Sequence, residues 1–96
     1  EMIVEKTAHN VAEIYKLKER GYIREGYYAD LVLVDLNQSW KVTKENILYK
    51  CKWSPFEEQV FQSKIMTTIV NGNIVYTNGV FDYTPKGMRL QFSKIR

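Results

Sequence analysis

Hydrophobic spacing along the chain changes character at Gly21. Before it, apolar residues recur at helical intervals. Met2, Ile3 and Val4 read as residues of a helix with no capping residue ahead of them, and the chain starts at Glu1, as a segment cut from a longer polypeptide would. A second helix is expected to start at Asn10. Asn10 as N-cap and Glu13 as the N3 residue reaching back form a capping signature, with Val11, Ile14, Tyr15 and Leu17 as one apolar stripe. Gly21 is placed to end this helix in a left-handed conformation.

From Tyr22 onward the pattern is that of strands. In "GYIREGYY" Gly26 is positioned for a tight turn, and "ADLVLVDL" (Ala29 to Leu36), bracketed by Asp30 and Asp35, reads as a strand buried on both faces or nearly so. A short "SWKV" strand follows, then "TKENIL", where Thr43 can cap a single helical turn. The sharpest local signal is "KIMTTIVNGNIVYT", two β-rich segments around Asn71-Gly72, the dipeptide best suited to a two-residue hairpin turn. A second Asn-Gly at Asn78-Gly79 predicts another turn before "VFDY", and after Pro85 and Gly87 "MRLQF" shows a last apolar alternation. No internal repeat, low-complexity segment or dividing linker is present.

Composition agrees with a mainly β fold carrying N-terminal helices, an α+β arrangement. Hydrophobic residues make up 45% and aromatic residues 14% of the 96 residues, which excludes wholesale disorder and suits packed strands. One domain of this length buries about 60 to 65% of its unfolded surface. The net charge of +3 is too small to require an anionic partner, and the densest basic run, Lys16 to Arg20, contains Glu19 and reads as a solvated helix end. One cysteine excludes an internal disulfide, no apolar run reaches a membrane span, and no signal-peptide pattern is present, so a cytoplasmic protein without membrane or nucleic-acid partners is expected. The "NQS" sequon at Asn37 to Ser39 is then accidental.

Candidate chemistry is scarce. A metal site needs several converging ligands, whereas this chain has one His and one Cys. His9 reads as a polar residue at the start of a helix. Cys51 lies between Lys50 and Lys52, whose side chains point away from it on an extended chain, so it reads as a buried structural cysteine. Adjacent Glu57 and Glu58 diverge for the same reason, and no glycine pattern fits a phosphate cradle. No catalytic and no metal-binding residue is assigned.

Taken in order, the segments Asn10-Val11-Ala12, Gly21 to Asp35, "CKWSPFEE" (Cys51 to Glu58) and Thr68 to Tyr76 resemble the C-terminal part of the cyclic amidohydrolases of the amidohydrolase superfamily. The "WSPFE" loop after a cysteine is most similar to the dihydroorotases, with allantoinases and dihydropyrimidinases as near relatives. The resemblance implies a TIM barrel holding zinc, flanked by a β-sandwich built from both chain ends. The family's metal ligands lie upstream of the matched region, so none carries over: zinc belongs to the parent protein, and none is bound by this chain. Residues 1–20 would be the last helical segment of the barrel and 21–96 the C-terminal strands of the sandwich. Their partners would be the N-terminal strands and barrel of the parent, where a small-molecule substrate binds; homodimerisation is left open.

Within that picture the loop Trp53, Ser54, Pro55 and Phe56 is structural. Pro55 pre-sets a turn, Trp53 and Phe56 anchor sandwich to barrel, and Cys51 is packing. Val11 stands where the family favours Pro, and Lys52 and Glu58 stand where dihydroorotases commonly have glycine. Positive φ at Glu58 would store roughly 1 kcal/mol or more. The activity implied is that of a zinc-dependent dihydroorotase of pyrimidine biosynthesis, interconverting carbamoyl-aspartate and dihydroorotate, with this portion structural. Two other readings come from the residues alone. One is a non-enzymatic β-rich assembly module pairing through its edge strands and the Asn71-Gly72 hairpin; the other is a small barrel stacking single-stranded nucleic acid on Tyr22, Tyr27, Tyr28 and Trp40, against which the low charge argues.

Overall fold

Residues 2–15 form one continuous helix, not two. The computed structural model, which describes residues 1–93, divides it into Met2–Val4, a π-helical stretch Glu5–His9 and Asn10–Tyr15. Asn10 has helical dihedrals, φ −64° and ψ −37°, and its backbone N–H donates to the Glu5 carbonyl. The expected cap at Asn10 and Glu13 is therefore absent, because a residue whose N–H already has an intrahelical acceptor leaves nothing to cap. Glu13 instead accepts the Tyr22 hydroxyl at 2.9 Å.

The helix stops earlier than the glycine. Lys16 (φ 56°) is the left-handed C-cap, so the basic run follows the helix instead of decorating its end. Gly21 (φ 87°) has a different duty: a Cβ there would overlap Ala12 Cβ and lie 2.9 Å from the Ala8 carbonyl oxygen. Only glycine lets the returning chain touch the helix so closely. Val11, Ile14 and Tyr15 of the expected stripe are exposed, and Ala12 alone is buried.

Four antiparallel strands, β1 (Leu31–Asp35), β4 (Lys64–Val70), β5 (Asn73–Thr77) and β6 (Val80–Phe81), make a sheet in the order β1-β4-β5-β6. Leu31 pairs with Ile69 and Asp35 with Lys64, with an irregularity at Leu33/Val34. Asn71 (φ 50°) and Gly72 (φ 77°) turn β4 into β5, the conformation that Asn-Gly adopts at least strain. Asn78 (φ 46°) and Gly79 (φ 87°) do the same between β5 and β6. A second ladder joins β2 (Trp40–Lys41) to β3 (Val60–Phe61). Between these two strands lie a 3-10 turn, Lys44–Asn46, and the 51–58 loop.

β1 is an edge strand, and Val32, Leu33 and Val34 are exposed, contrary to the expected double burial. Its second edge has no partner strand among the described residues. No residue of the four-stranded sheet is fully buried. Among the described residues the buried ones are Ala12 under Gly21, and Val42 and Ile47 beside the small ladder. The alternation at 88–92 forms no strand; Phe92 makes a single bridge to Leu17. Residues 94–96 of the expected 21–96 segment lie outside the described residues.

Candidate functional site

Two junctions bring distant segments together. At the first, Arg20 pairs with the Asp30 carboxylate, donates to the Met88 carbonyl at 3.0 Å and lies 4.2 Å from the centroid of the Tyr28 ring. Its side chain is only 12% exposed. Asp30 then accepts the Asn71 backbone N–H at 2.8 Å, while the Gly72 N–H donates to the Ala29 carbonyl at 3.0 Å. Helix exit, first strand, hairpin turn and C-terminal tail thus meet at one ion pair. Arg20 was hidden within a basic run that looked solvated. Asp30 stood out in the sequence only as a bracket of β1.

Beside this junction, His9 stacks on Tyr22 at 4.2 Å, and Arg24 lies 4.0 Å from the Tyr22 centroid and 5.6 Å from that of Tyr27. The Glu13 hydrogen bond raises the Tyr22 phenol above its ordinary pKa, because ionisation would place an anion against a carboxylate. His9 is a stacking residue inside a helix. The tyrosines proposed as a base-stacking platform have ring faces taken up by the chain's own cations and imidazole.

The second junction holds the "CKWSPFEE" loop. The Glu58 N–H donates to Val42 O at 2.8 Å and the Val42 N–H to Gln59 O at 2.9 Å, continuing the β2–β3 ladder into the loop. Inside it, Ser54 Oγ accepts the Phe56 N–H at 3.1 Å and Ser54 O accepts the Glu57 N–H at 3.2 Å, so Ser54 and Pro55 build a tight turn. Lys52 (φ 55°) and Glu58 (φ 73°) are both left-handed. The departures from family glycine therefore fall on two positions where a Cβ is unfavourable. Lys52 Nζ donates to Ile47 O at 3.2 Å, and Glu58 pairs with Lys41 at 2.7 Å.

Phe56 meets Phe61 edge-on at 6.0 Å, and Trp40 stacks on Phe61 at 5.6 Å while its indole N–H donates to Ser63 O. These rings, with Val42 and Ile47, line an open recess of about 380 Å³. Trp53 is 65% and Phe56 51% exposed, so neither is buried by the described residues. Cys51 is exposed too, correcting the expectation of a buried cysteine; its Sγ lies 3.9 Å from the Trp53 carbonyl oxygen. Among the described residues no group of His, Cys, Asp or Glu could hold a metal ion, and no helix is long and apolar enough to cross a membrane. The arrangement presents apolar rings on polar joints.

Sequence comparison gives the class. Residues 1–75 match the amidohydrolase family, and the chain belongs to it. It is 38% identical over 89 residues to an allantoinase of Desulfitobacterium hafniense (strain Y51), a match covering 93% of this chain and 20% of that protein. It is 35% identical over 88 residues to the dihydroorotase of Pyrococcus horikoshii (92% and 21%), and 42% over 71 residues to that of Endomicrobium trichonymphae (74% and 17%). The chain spans about a fifth of the length of these relatives.

Proposed function

We propose that this chain is the C-terminal, structural portion of a cytoplasmic cyclic amidohydrolase, with dihydroorotase the favoured activity: reversible ring closure of carbamoyl-aspartate to dihydroorotate in pyrimidine biosynthesis. Residues 1–20 are the helical exit of its barrel and the strands belong to its sandwich. Zinc in such a parent is held by other segments. Among the described residues no group of His, Cys, Asp or Glu fits a zinc site.

The observation that carries the reading is exposed surface. A chain of 11.4 kDa exposes 8265 Å², whereas a folded monomer of that mass exposes roughly 5,800 Å². The excess of about 2,500 Å² on this side alone suits a permanent interface better than a transient one. Its composition agrees, with Val32, Leu33, Trp53 and Phe56 all outward. The chain's contribution is to hold a barrel in place, through the Arg20–Asp30 joint and the 51–58 loop.

Allantoinase is the second reading, favoured by the 38% identity over 89 residues. The test is to incubate the polypeptide containing this chain with dihydroorotate and with allantoin, following ring opening, beside the 96-residue chain alone. Opening of dihydroorotate by the larger polypeptide and no turnover by the short chain is expected. Turnover of allantoin alone would select the second reading. Turnover of neither ring, or turnover by the short chain, would overturn the proposal.

A further inference from the structure

The chain carries the same dipeptide in the same kind of turn twice. Asn71-Gly72 and Asn78-Gly79 both have left-handed dihedrals at both residues and both close antiparallel hairpins. Their surroundings differ. The Gly72 N–H is donated to Ala29 O at 3.0 Å and the Asn71 N–H to the Asp30 carboxylate at 2.8 Å, so that turn is pinned to the chain entering β1. At the second turn the Asn78 N–H is donated to Met66 O at 2.9 Å, but among the described residues nothing accepts the Gly79 N–H, the attacking nitrogen, and both Asn78 and Gly79 are exposed. The hairpins also differ in strength. Four register pairs close the first, while Tyr76↔Phe81 and Thr77↔Val80, with one further bond from the Asp82 N–H to Val75 O, close the second.

We propose that Asn78 is a site of spontaneous, non-enzymatic deamidation, and that the fold protects its twin at Asn71. The Gly79 backbone nitrogen gives up its proton to base and attacks Asn78 Cγ. The Cγ–Nδ2 bond breaks, ammonia leaves, and a cyclic succinimide remains. Water then adds to one of its two carbonyls. Opening one way gives aspartate; opening the other reroutes the main chain through the side chain as isoaspartate.

Attack requires the turn to leave its left-handed geometry, so each rate follows the ease of local opening. At Gly72 a hydrogen bond to Ala29 must also break before the nitrogen is free. That bond alone slows the step about five- to tenfold. Isoaspartate adds a methylene to the main chain, which the two-residue turn cannot hold in register. The product is a protein whose β6 has come away, uncovering the edge of β5.

The test is ageing of the full polypeptide in mildly alkaline buffer, with chymotryptic cleavage after Tyr76 placing the two asparagines in separate peptides for mass spectrometry. A parallel sample is aged in urea. Expected is conversion at Asn78 about five- to tenfold faster than at Asn71 in the folded protein, with the two rates converging in urea. Equal rates in the folded protein would overturn the proposal. So would faster conversion at Asn71, no conversion at Asn78, or a difference that survives unfolding.

Discussion

Glu58 offers a test in which the sign of the answer, not its size, decides. Its φ of 73° lies in the left-handed region, where a Cβ crowds the carbonyl oxygen and costs about 1–2 kcal/mol. The perturbation is a pair of substitutions, Glu58→Gly and Glu58→Ala. Both remove the carboxylate and with it the 2.7 Å pair to Lys41, whose partners are 51% and 68% exposed. That pair contributes about 0–1 kcal/mol and cancels between the two variants. What remains is the backbone. Glycine relieves the left-handed strain but loses about 0.5–1 kcal/mol to the greater freedom of the unfolded chain.

The glycine variant is therefore expected to be more stable than the alanine variant by about 0.5–1 kcal/mol. Urea unfolding of the polypeptide containing this chain, followed by tryptophan fluorescence, reads the difference. With a slope of about 1–3 kcal/mol per molar urea, the midpoint of the glycine variant lies a few tenths molar higher. If alanine proved the more stable, φ at residue 58 would be negative, because glycine in an ordinary region loses by a similar amount. That result would refute the reasoning about the loop. The same pair at Lys52 (φ 55°) repeats the test with the Ile47 carbonyl contact in place of the ion pair.

Three further outcomes are expected. Gly21→Ala combines a positive φ with overlap onto Ala12 and the Ala8 carbonyl, so it should destabilise by about 2 kcal/mol or more, read as a lowered urea midpoint. Asp30→Ala takes the carboxylate partner from the largely buried Arg20 guanidinium, which keeps its bond to the Met88 carbonyl, and the acceptor from the Asn71 N–H; a loss of about 2 kcal/mol is expected, with faster amide exchange at Asn71. Asp82 accepts the Thr84 backbone N–H at 2.9 Å, which holds its carboxyl below the ordinary range. A depressed folded pKa means that this contribution is present above the usual aspartate value and lost as pH falls through the depressed one. Carboxyl NMR titration and Thr84 amide exchange at acid pH check it, and Asp82→Asn should abolish the dependence.

Legibility from the sequence followed the range over which each cause acts. The Asn71-Gly72 and Asn78-Gly79 turns could be read because the requirement for positive φ is settled by two adjacent residues. The Asn10 cap could not. A capping signature has meaning only if the preceding residues are non-helical, and Glu5–His9 continue the helix with π spacing. The pairing of β1 with β4 depends on residues far apart in the chain, from Leu31 with Ile69 to Asp35 with Lys64, and left no local mark. Arg20 and Asp30 are only 10 residues apart, but the groups that complete their joint, Asn71 and Met88, lie 41 and 68 residues from their partners, so it too left no local mark. Lys52 and Glu58 show the opposite case: nothing in their chemistry suggests a left-handed backbone, and only resemblance to a glycine-bearing family pointed there.

The same contrast explains how a chain with so small a core keeps a defined arrangement. β1 is apolar at successive positions, Val32, Leu33 and Val34, and alternation of side chains along a strand sends them to both faces. A strand meant for one solvated face would alternate apolar and polar residues, so this one is written for cover on two sides. Among the described residues that cover is missing, and β1 is held instead by its ladder to β4 and by the Asp30 clamp at its start. Backbone and ion-pair joints fix where the strand lies; its side chains remain for contact. Mutations therefore sort by link. Asp30→Ala should disturb the position of β1 even where every apolar residue is intact. Leu33→Ser, by contrast, should leave the isolated chain nearly unchanged, since Leu33 is exposed there, while lowering the stability of the larger polypeptide by about 2 kcal/mol or more if the proposed cover is real. Equal, small effects in both settings would mean that nothing packs on that face.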